Sequence, residues 1–201
     1  MKNIIFDVGN VLITWDPINI MQQAFPESAR PQDYLTSFKE VIANDLDTGM
    51  IDFATANKKL QKHFNVPKER IDNLFSILLS SLTPLPANIE LLSELANDPA
   101  YSLYCLTNMS TECFIYLNQQ YNFWDKFKGI VVSADIKLIK PDPKIYSYTL
   151  EKFNLLPEET VFIDDLLENI IAARKMGIFG IHFTDLAACK NELRKLKINV
   201  S

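Results

Sequence analysis

Three polar segments in this 201-residue chain each follow a short apolar run, and together they carry residue types that can bind a metal ion or an anion. Apolar runs of this length, bounded by turn residues, predict buried strands. A carboxylate at the end of a buried strand costs free energy unless a cation pairs with it. The segments are Asp7 after residues 4–6, Thr107–Asn108 after residues 103–106, and Asp164–Asp165 after residues 161–163.

If the three runs are parallel strands of one sheet, their carboxyl ends lie along one edge, where ligands bind in open α/β sheets. Asp7, Asp164 and Asp165 would then repel one another and require a cation, and oxygen ligands at this density favour a hard ion such as Mg²⁺. Taken alone, Asp7 also fits an ordinary Asp/Gly turn, and Asp164–Asp165 also fit a helix N-cap before Leu167. Their shared edge favours the metal site.

Lys140 adds a positive charge near the same edge. It precedes a Pro-Asp-Pro segment whose Asp142 can cap the following helix. A lysine beside carboxylates can neutralise them or hold a phosphate as a point charge. Thr107 and Asn108 offer a hydroxyl, an amide and backbone N–H groups just before a helix, which suits a phosphate but is also common in strand-to-helix turns.

From residue 88 onward, segments with helix and strand patterns alternate. This alternation predicts an α/β fold, a doubly wound parallel sheet with right-handed crossovers and helices on both faces. The strand segments are continuous apolar runs, as is typical of strands covered on both faces. Predicted helices span 89–97, 111–121, 143–153, 167–176 and 186–196, and predicted strands span 103–106, 130–132, 161–163 and 178–183.

Residues 16–82 have helical periodicity and no strand pattern. We expect Asp16 to cap the first of these helices, because Pro17 suits the first helical position. The segment is predicted to form a small helical bundle inserted after the first strand, so the α/β core would comprise residues 1–15 and 83–201. Hinges are expected near the two ends of this segment, at 14–16 and 83–86. Predicted helices span 18–25, 31–44, 52–64 and 71–82.

Composition limits the class of protein and its partners. The chain is 48% hydrophobic and 22% charged, with a formal net charge of −5 and no long Lys/Arg run, so a nucleic-acid partner is not expected. It has no signal-peptide layout and no apolar run of membrane-spanning length, which favours a cytoplasmic protein with no membrane partner. Three scattered cysteines argue against a zinc site and a disulfide framework. Both a monomer and a homodimer fit these data.

Four segments, in this order, resemble the motifs of the haloacid dehalogenase (HAD) superfamily, and the resemblance extends over essentially the whole chain. They are Phe6-Asp7-Val8-Gly9-Asn10-Val11-Leu12, Leu106-Thr107-Asn108, Lys140-Pro141, and Phe162-Ile163-Asp164-Asp165 with Asn169. The helical segment 16–82, between the first and second motifs, is similar to the type 1 helical cap of that superfamily. The first motif resembles a phosphatase-like branch that reads Asp-x-Gly-x-Val and includes a bacterial sugar-1-phosphate phosphatase.

The resemblance implies a Mg²⁺-dependent phosphatase and gives roles to the matching residues. Asp7 would be the nucleophile, forming an aspartyl phosphate, and also a metal ligand beside the carbonyl of Gly9. Asp165 would bind the metal directly, and Asp164 would bind it through a water or support another ligand. Mg²⁺ and Lys140 would neutralise the charge of the reacting groups. The residues that would hold the transferring phosphoryl group are Thr107, Asn108 and Lys140.

Position 9 departs from most phosphatases of the superfamily, which carry there a second Asp as general acid and base. Gly9 has no side chain, and a positioned acid or base contributes about 10²–10⁴ in rate. Three explanations are open: a good leaving group such as an anomeric sugar phosphate, another side chain in its place, or phosphate binding without turnover. The candidate replacements are Asp16, Asp45 and Asp47.

These observations predict a Mg²⁺-dependent phosphatase for a small phosphorylated metabolite such as a sugar phosphate. The alternative is a catalytically weak or inactive phosphate-binding protein. A dehalogenase is disfavoured, because those enzymes need no metal and usually carry an aromatic residue where Gly9 stands. Trp15 is expected to pack rather than to contact substrate, and His182 to lie in the core. His63 is expected to be structural or solvated.

Overall fold

Five parallel strands form the centre of the molecule in the computed structural model, which describes residues 1–201. The strands are β1 (Asn3–Phe6), β2 (Ser102–Thr107), β3 (Gly129–Val132), β4 (Thr160–Asp164) and β5 (Phe179–His182). They lie in the order β3-β2-β1-β4-β5, so β1 occupies the middle and the chain crosses over to both sides of it. The predicted doubly wound α/β fold is confirmed.

The helical insert, residues 16–82, lies between β1 and β2. Its first helix begins where predicted, because Asp16 caps it by accepting a hydrogen bond from the N–H of Asn19 at 3.0 Å. The helix predicted to end at residue 44 continues to residue 47 through a π-helical stretch, Lys39–Ala43. The division of the insert from the α/β core as a separate cap stays a prediction. The insert helices are α1 (Pro17–Ala24), α2 (Pro31–Phe38), α3 (Asn44–Asp47), α4 (Phe53–Phe64) and α5 (Lys68–Ser81).

Two neighbouring segments connect the insert to the rest of the chain. The N–H of Thr14 donates to the carbonyl of Thr83 at 2.8 Å, and the N–H of Leu85 donates to the carbonyl of Leu12 at 2.8 Å. The next helix begins at Pro86 rather than at residue 89 as predicted, since proline is favoured in the first helical turn. The connector is therefore shorter than expected, and the hinges stay a prediction.

Six further helices follow the insert. They are α6 (Pro86–Asn97), α7 (Thr111–Gln120), α8 (Ser133–Ile136), α9 (Pro143–Phe153), α10 (Leu167–Lys175) and α11 (Leu186–Lys195). Five of them agree with the predicted helices to within three residues at each end. The sequence pattern misses α8, because four residues are too few to show a helical period. None of the helices combines the length and the apolar character that crossing a membrane requires.

Alternate strand residues pack on opposite faces of the sheet, as the two-residue period of a strand requires. Ile4 and Phe6 of β1 join a large buried cluster that extends into the insert, whereas Ile5 joins a smaller cluster on the other face. Helices α6, α7 and α11 cover the first face, and α9 and α10 cover the second. The sheet is thus held between two apolar layers, and its carboxyl ends lead into polar loops.

The last strand lies at an edge of the sheet, and this changes the environment of His182. The prediction that His182 lies in the core is wrong: its side chain is exposed, because an edge strand is covered less completely than a central one. The Nε2 of His182 lies 2.9 Å from the carbonyl oxygen of Asp165. His63 is exposed, in agreement with the expectation that it is solvated.

Candidate active site

The central position of β1 brings the candidate site residues together. The last residue of β1 is paired in register with both β2 and β4, so the residues that follow leave the sheet side by side. Asp7 and Asp164 emerge in this way, with Thr107 at the end of the neighbouring strand. The carboxylates of Asp7, Asp164 and Asp165 each offer an oxygen, and these oxygens lie within 4.8 Å of one another.

Lys140 lies between two of these carboxylates, with 4% of its surface exposed. Its Nζ is 2.8 Å from Oδ1 of Asp7 and 2.7 Å from Oδ2 of Asp164. It donates a third hydrogen bond to the carbonyl of Leu106 at 3.1 Å. Burial alone would lower the pKa of Lys140, but the two carboxylates reverse this effect and hold the pKa above its ordinary value. The lysine is therefore charged, and its three N–H donors are all engaged.

Asn108 holds the loop that carries Lys140. The Nδ2 of Asn108 donates to the carbonyl of Lys140 at 2.9 Å, and its Oδ1 accepts from the N–H of Lys140 at 2.8 Å. The side chain of Asn108 is therefore used to position the lysine. The backbone N–H of Asn108 and the hydroxyl of Thr107 make no hydrogen bond within the protein, so both can donate to a ligand.

The three carboxylates differ in how many hydrogen bonds their oxygens accept from the rest of the protein. Asp164 is fully buried, and its oxygens accept hydrogen bonds from Nζ of Lys140, from the backbone N–H of Leu166 and from Nδ2 of Asn169 in α10. Asp165 is partly exposed and accepts a single side-chain hydrogen bond, from Nδ2 of Asn10 at 3.1 Å. Asp7 and Asp165 thus keep free oxygens for a ligand, whereas those of Asp164 are occupied.

The charge of this site fits a divalent cation. Three carboxylates and one lysine carry a net charge of −2 when all are ionised. Burial raises the pKa of Asp7 to about 7, although Lys140 opposes this, and burial also raises the pKa of Asp165. A hard cation would offset this penalty and prefers carboxylate and carbonyl oxygens. The carbonyl of Gly9 accepts no hydrogen bond within the protein and lines the same cavity, which adds a third suitable ligand.

Two asparagines of the motifs position acidic side chains, a role that the sequence alone did not reveal. Asn10 donates to Asp165, and its Oδ1 accepts from the N–H of Trp15 at 3.1 Å. Asn169 donates through Nδ2 to both oxygens of Asp164 at 3.0 Å. Asn10 has a φ of 53°, a left-handed conformation that asparagine tolerates. The Gly-Asn pair in the sequence indicates such a turn, but it does not indicate which residue the Asn10 amide hydrogen-bonds.

A cavity of about 450 Å³ lies between the sheet edge and the helical insert. The side formed by the insert, here named the insert wall, is apolar apart from Lys39 and Asp47. Trp15 also lines the cavity and is 37% exposed, and the packing role expected for it stays a prediction. The residues of the insert wall are Pro17, Phe38, Lys39, Ala43, Leu46, Asp47, Phe53, Leu78 and Leu82.

One of the three acidic residues that could replace the side chain missing at position 9 lies in the cavity. Asp16 is exposed and serves as the cap of α1. Asp45 forms an ion pair with Lys59 at 2.8 Å, with over 40% of each side chain exposed. Asp47 lines the cavity, and burial raises its pKa to about 6, although Lys140 opposes this.

Comparisons with known proteins identify relatives of this chain. The chain is 33% identical over 195 residues to the sesquiterpene phosphatase astK of Aspergillus oryzae, a match that covers 97% of this chain and 96% of astK. It is 37% identical over 59 residues to a phosphorylated carbohydrates phosphatase of Thermotoga maritima, which covers 29% of this chain and 27% of that protein.

A similar fold is found in the solved structure of the HAD family enzyme bt-2542 from Bacteroides thetaiotaomicron, in complex with magnesium and inorganic phosphate. The TM-score is 0.74 at 23% identity, and the superposition covers 94% of this chain and 98% of that chain. A family model described as haloacid dehalogenase-like hydrolase matches residues 4–182. The chain therefore belongs to the haloacid dehalogenase-like hydrolase family.

Proposed function

We propose that this hydrolase is a Mg²⁺-dependent phosphatase that cleaves phosphoric monoesters through an aspartyl phosphate on Asp7. The observation that carries the proposal is the buried Lys140 between Asp7 and Asp164, with Asp165 at the same sheet edge. A nucleophilic carboxylate and an anionic phosphate repel each other, so this reaction needs concentrated positive charge. The site supplies a lysine and a set of oxygen ligands for a divalent ion.

The free donors of the site suit a phosphoryl group. The hydroxyl of Thr107 and the N–H of Asn108 can donate to its oxygens, since neither makes a hydrogen bond within the protein. Lys140 contributes its charge, because its N–H donors are already engaged with Asp7, Asp164 and a carbonyl. A Mg²⁺ ion bound by Asp7, Asp165 and the carbonyl of Gly9 would neutralise the phosphate charge and orient the phosphoryl group.

Asp7 is held in place for attack. Its Oδ1 is fixed by Lys140 at 2.8 Å, and 7% of the residue is exposed, toward the cavity. A carboxylate oxygen of Asp7 attacks phosphorus, and the bond to the organic oxygen breaks. Water then attacks the phosphorus of the aspartyl phosphate, which releases inorganic phosphate and restores the carboxylate.

The insert wall favours an apolar organic group on the substrate. Seven of its nine residues are apolar, and Trp15 extends the apolar surface. A sugar would leave most of its hydroxyls without partners against such a surface, whereas a hydrocarbon chain would bury apolar area. The similarity to astK over nearly the whole chain supports this assignment more strongly than the short match to the carbohydrate phosphatase supports a sugar. A sugar phosphate, expected from the resemblance, is the second candidate.

A panel of phosphomonoesters assayed with Mg²⁺ tests the proposal. Phosphate release from prenyl and long-chain alkyl phosphates should exceed release from hexose phosphates, and chelation of the metal or Asp7→Asn should abolish it while the thermal unfolding transition is kept. Binding without release of phosphate would instead favour a phosphate-binding protein, the alternative that Gly9 raises. Turnover that persists in Asp7→Asn would refute the mechanism.

A further inference from the structure

Gly9 has no side chain, so the proton donor of the reaction must come from elsewhere, although the space beside Gly9 is open. A Cβ built on Gly9 would meet only the Cβ of Trp15, at 3.9 Å, which is ordinary van der Waals contact. Steric exclusion therefore does not explain the missing side chain. An alkoxide leaving group needs a proton, and the residue that gives it must line the same cavity as Asp7.

The backbone of Asp47 is tied to the loop that would bind phosphate. The carbonyl of Asp47 accepts from the hydroxyl of Ser133 at 2.5 Å, and the same hydroxyl accepts from the N–H of Met109 at 2.9 Å. Met109 directly follows Asn108. Ser133 is fully buried, so one hydroxyl connects the end of α3 to the phosphate loop of the sheet edge.

The turn after α3 is fixed by close packing. Gly49 has a φ of +62°, and a Cβ on it would lie 2.4 Å from the carbonyl oxygen of Ala134 in α8. Only glycine permits both this conformation and this close approach. Asp47 therefore belongs to the insert by sequence but is held against the α/β core by two contacts that do not involve its carboxylate.

The carboxylate of Asp47 has no partner within the protein. It makes no hydrogen bond and no ion pair, whereas the nearby Asp45 pairs with Lys59 at 2.8 Å. Burial raises the pKa of Asp47 to about 6, so the residue exchanges a proton near neutral pH. The charged or titratable groups that share its surroundings are Lys39, Lys140, Asp7, Asp165 and Cys113.

We infer that Asp47 is the general acid and base of the reaction, in place of the side chain absent at position 9; this inference rests on the proposed function. As Asp7 attacks and the phosphorus–oxygen bond to the organic group breaks, the leaving oxygen takes the proton of the Asp47 carboxyl and departs as an alcohol. The Asp47 carboxylate then takes a proton from the water that attacks the aspartyl phosphate. Phosphate and the Asp7 carboxylate are released, and Asp47 is protonated again.

The test compares Asp47→Asn with Asp45→Asn on two substrates. An alkyl phosphate has a poor leaving group and needs the proton, whereas p-nitrophenyl phosphate has a good one. We expect Asp47→Asn to lower kcat/KM for the alkyl phosphate about 10²–10³-fold and for p-nitrophenyl phosphate less than about 10-fold. Asp45→Asn, two residues away on the same helix, should change neither. In the wild type, kcat/KM for the alkyl phosphate should fall as the pH rises past the pKa of Asp47, and the variant should lack this limb.

A second variant separates acid–base loss from misfolding. Gly9→Asp in the Asp47→Asn background should restore at least about a tenth of the alkyl phosphatase activity, because a Cβ on Gly9 meets only an ordinary van der Waals contact. Equal losses on both substrates, or no loss on the alkyl phosphate, would overturn the role of Asp47 while leaving a wild-type phosphatase intact. Absence of any Mg²⁺-dependent release by the wild type would refute the proposed function and this inference with it.

Discussion

The two sides of the cavity are built in opposite ways. At the sheet edge, Lys140 and Asp164 are fully engaged, and Asn108 and Asn169 hold them in place. On the insert wall, the side chains are mostly apolar, and Asp47 has no partner for its carboxylate. A network of fixed charges suits a reaction that is common to a family, because its geometry has to be the same for every substrate. An apolar wall can vary without disturbing that network, and it can therefore set the choice of substrate.

The largest expected effect is the difference between replacing Lys140 and replacing Lys39, the two lysines that line the cavity. Lys140→Met should destabilise the protein by about 3–5 kcal/mol, because it leaves two buried carboxylates without their cation. It should also lower kcat by at least about 10²-fold through the loss of positive charge at the phosphate. Lys39→Met, on the exposed side of the insert wall, should change stability by less than about 0.5 kcal/mol. Urea unfolding and steady-state kinetics measure both effects.

A double variant sharpens this comparison. Adding Asp164→Asn to Lys140→Met removes one of the two buried carboxylates that have lost their cation. Part of the lost stability should therefore return, while turnover stays low. If Lys39→Met destabilised the protein as much as Lys140→Met, the contrast between the two sides of the cavity would be wrong.

The next effect concerns the positioning of Asp165, the proposed metal ligand. Asn10→Gly keeps the left-handed backbone at φ 53° but deletes the hydrogen bond to Asp165, and loss of such a supporting contact weakens metal binding about 10–100-fold. The Mg²⁺ concentration for half-maximal activity should rise accordingly. Asn154→Gly, at φ 52° at the end of α9, is the matched control and should leave it unchanged. Equal behaviour of the two variants would exclude this role for Asn10.

A smaller effect is expected on the apolar side. Trp15→Ala should lower kcat/KM for a long-chain alkyl phosphate about 10-fold and that for a small phosphomonoester much less, because contact with the hydrocarbon is lost. Met50→Ala, 64% exposed and away from the cavity, is the control. A uniform loss on all substrates would place Trp15 in the chemistry instead of in substrate selection.

The smallest effect is a pH dependence of stability. The pKa values of Asp7 and Asp47 rise from 3.8 to about 7 and about 6, so between about pH 4 and 7 the folded state holds protons that the unfolded chain has released. Stability without metal should therefore fall as the pH rises through this range. Mg²⁺ binds the ionised carboxylates, and the increase in Tm that it causes should be larger at pH 7.5 than at pH 4.5. An equal increase in Tm at both pH values would contradict the proposal that ionised carboxylates of this site bind Mg²⁺.

The sheet edge could be predicted from the sequence because topology fixes it. Apolar runs that end in Asp7, Thr107 and Asp164 must meet at one edge once the strands are parallel, whatever the details of packing. The insert wall could not be predicted in this way. Asp47 reaches the cavity through a short helix, a bond to Ser133 and a tight glycine turn, none of which leaves a periodic signal. The packing role expected for Trp15, the cytoplasmic location and the oligomeric state stay predictions.

The most direct measurement is a search for the phosphoryl group on the protein. Wild-type enzyme mixed with Mg²⁺ and a phosphomonoester, quenched in acid during turnover and digested, should yield the peptide that contains Asp7 with one added phosphoryl group, and hydroxylamine should remove it. Phosphate release without any such adduct, or an adduct on another residue, would contradict Asp7 as the nucleophile.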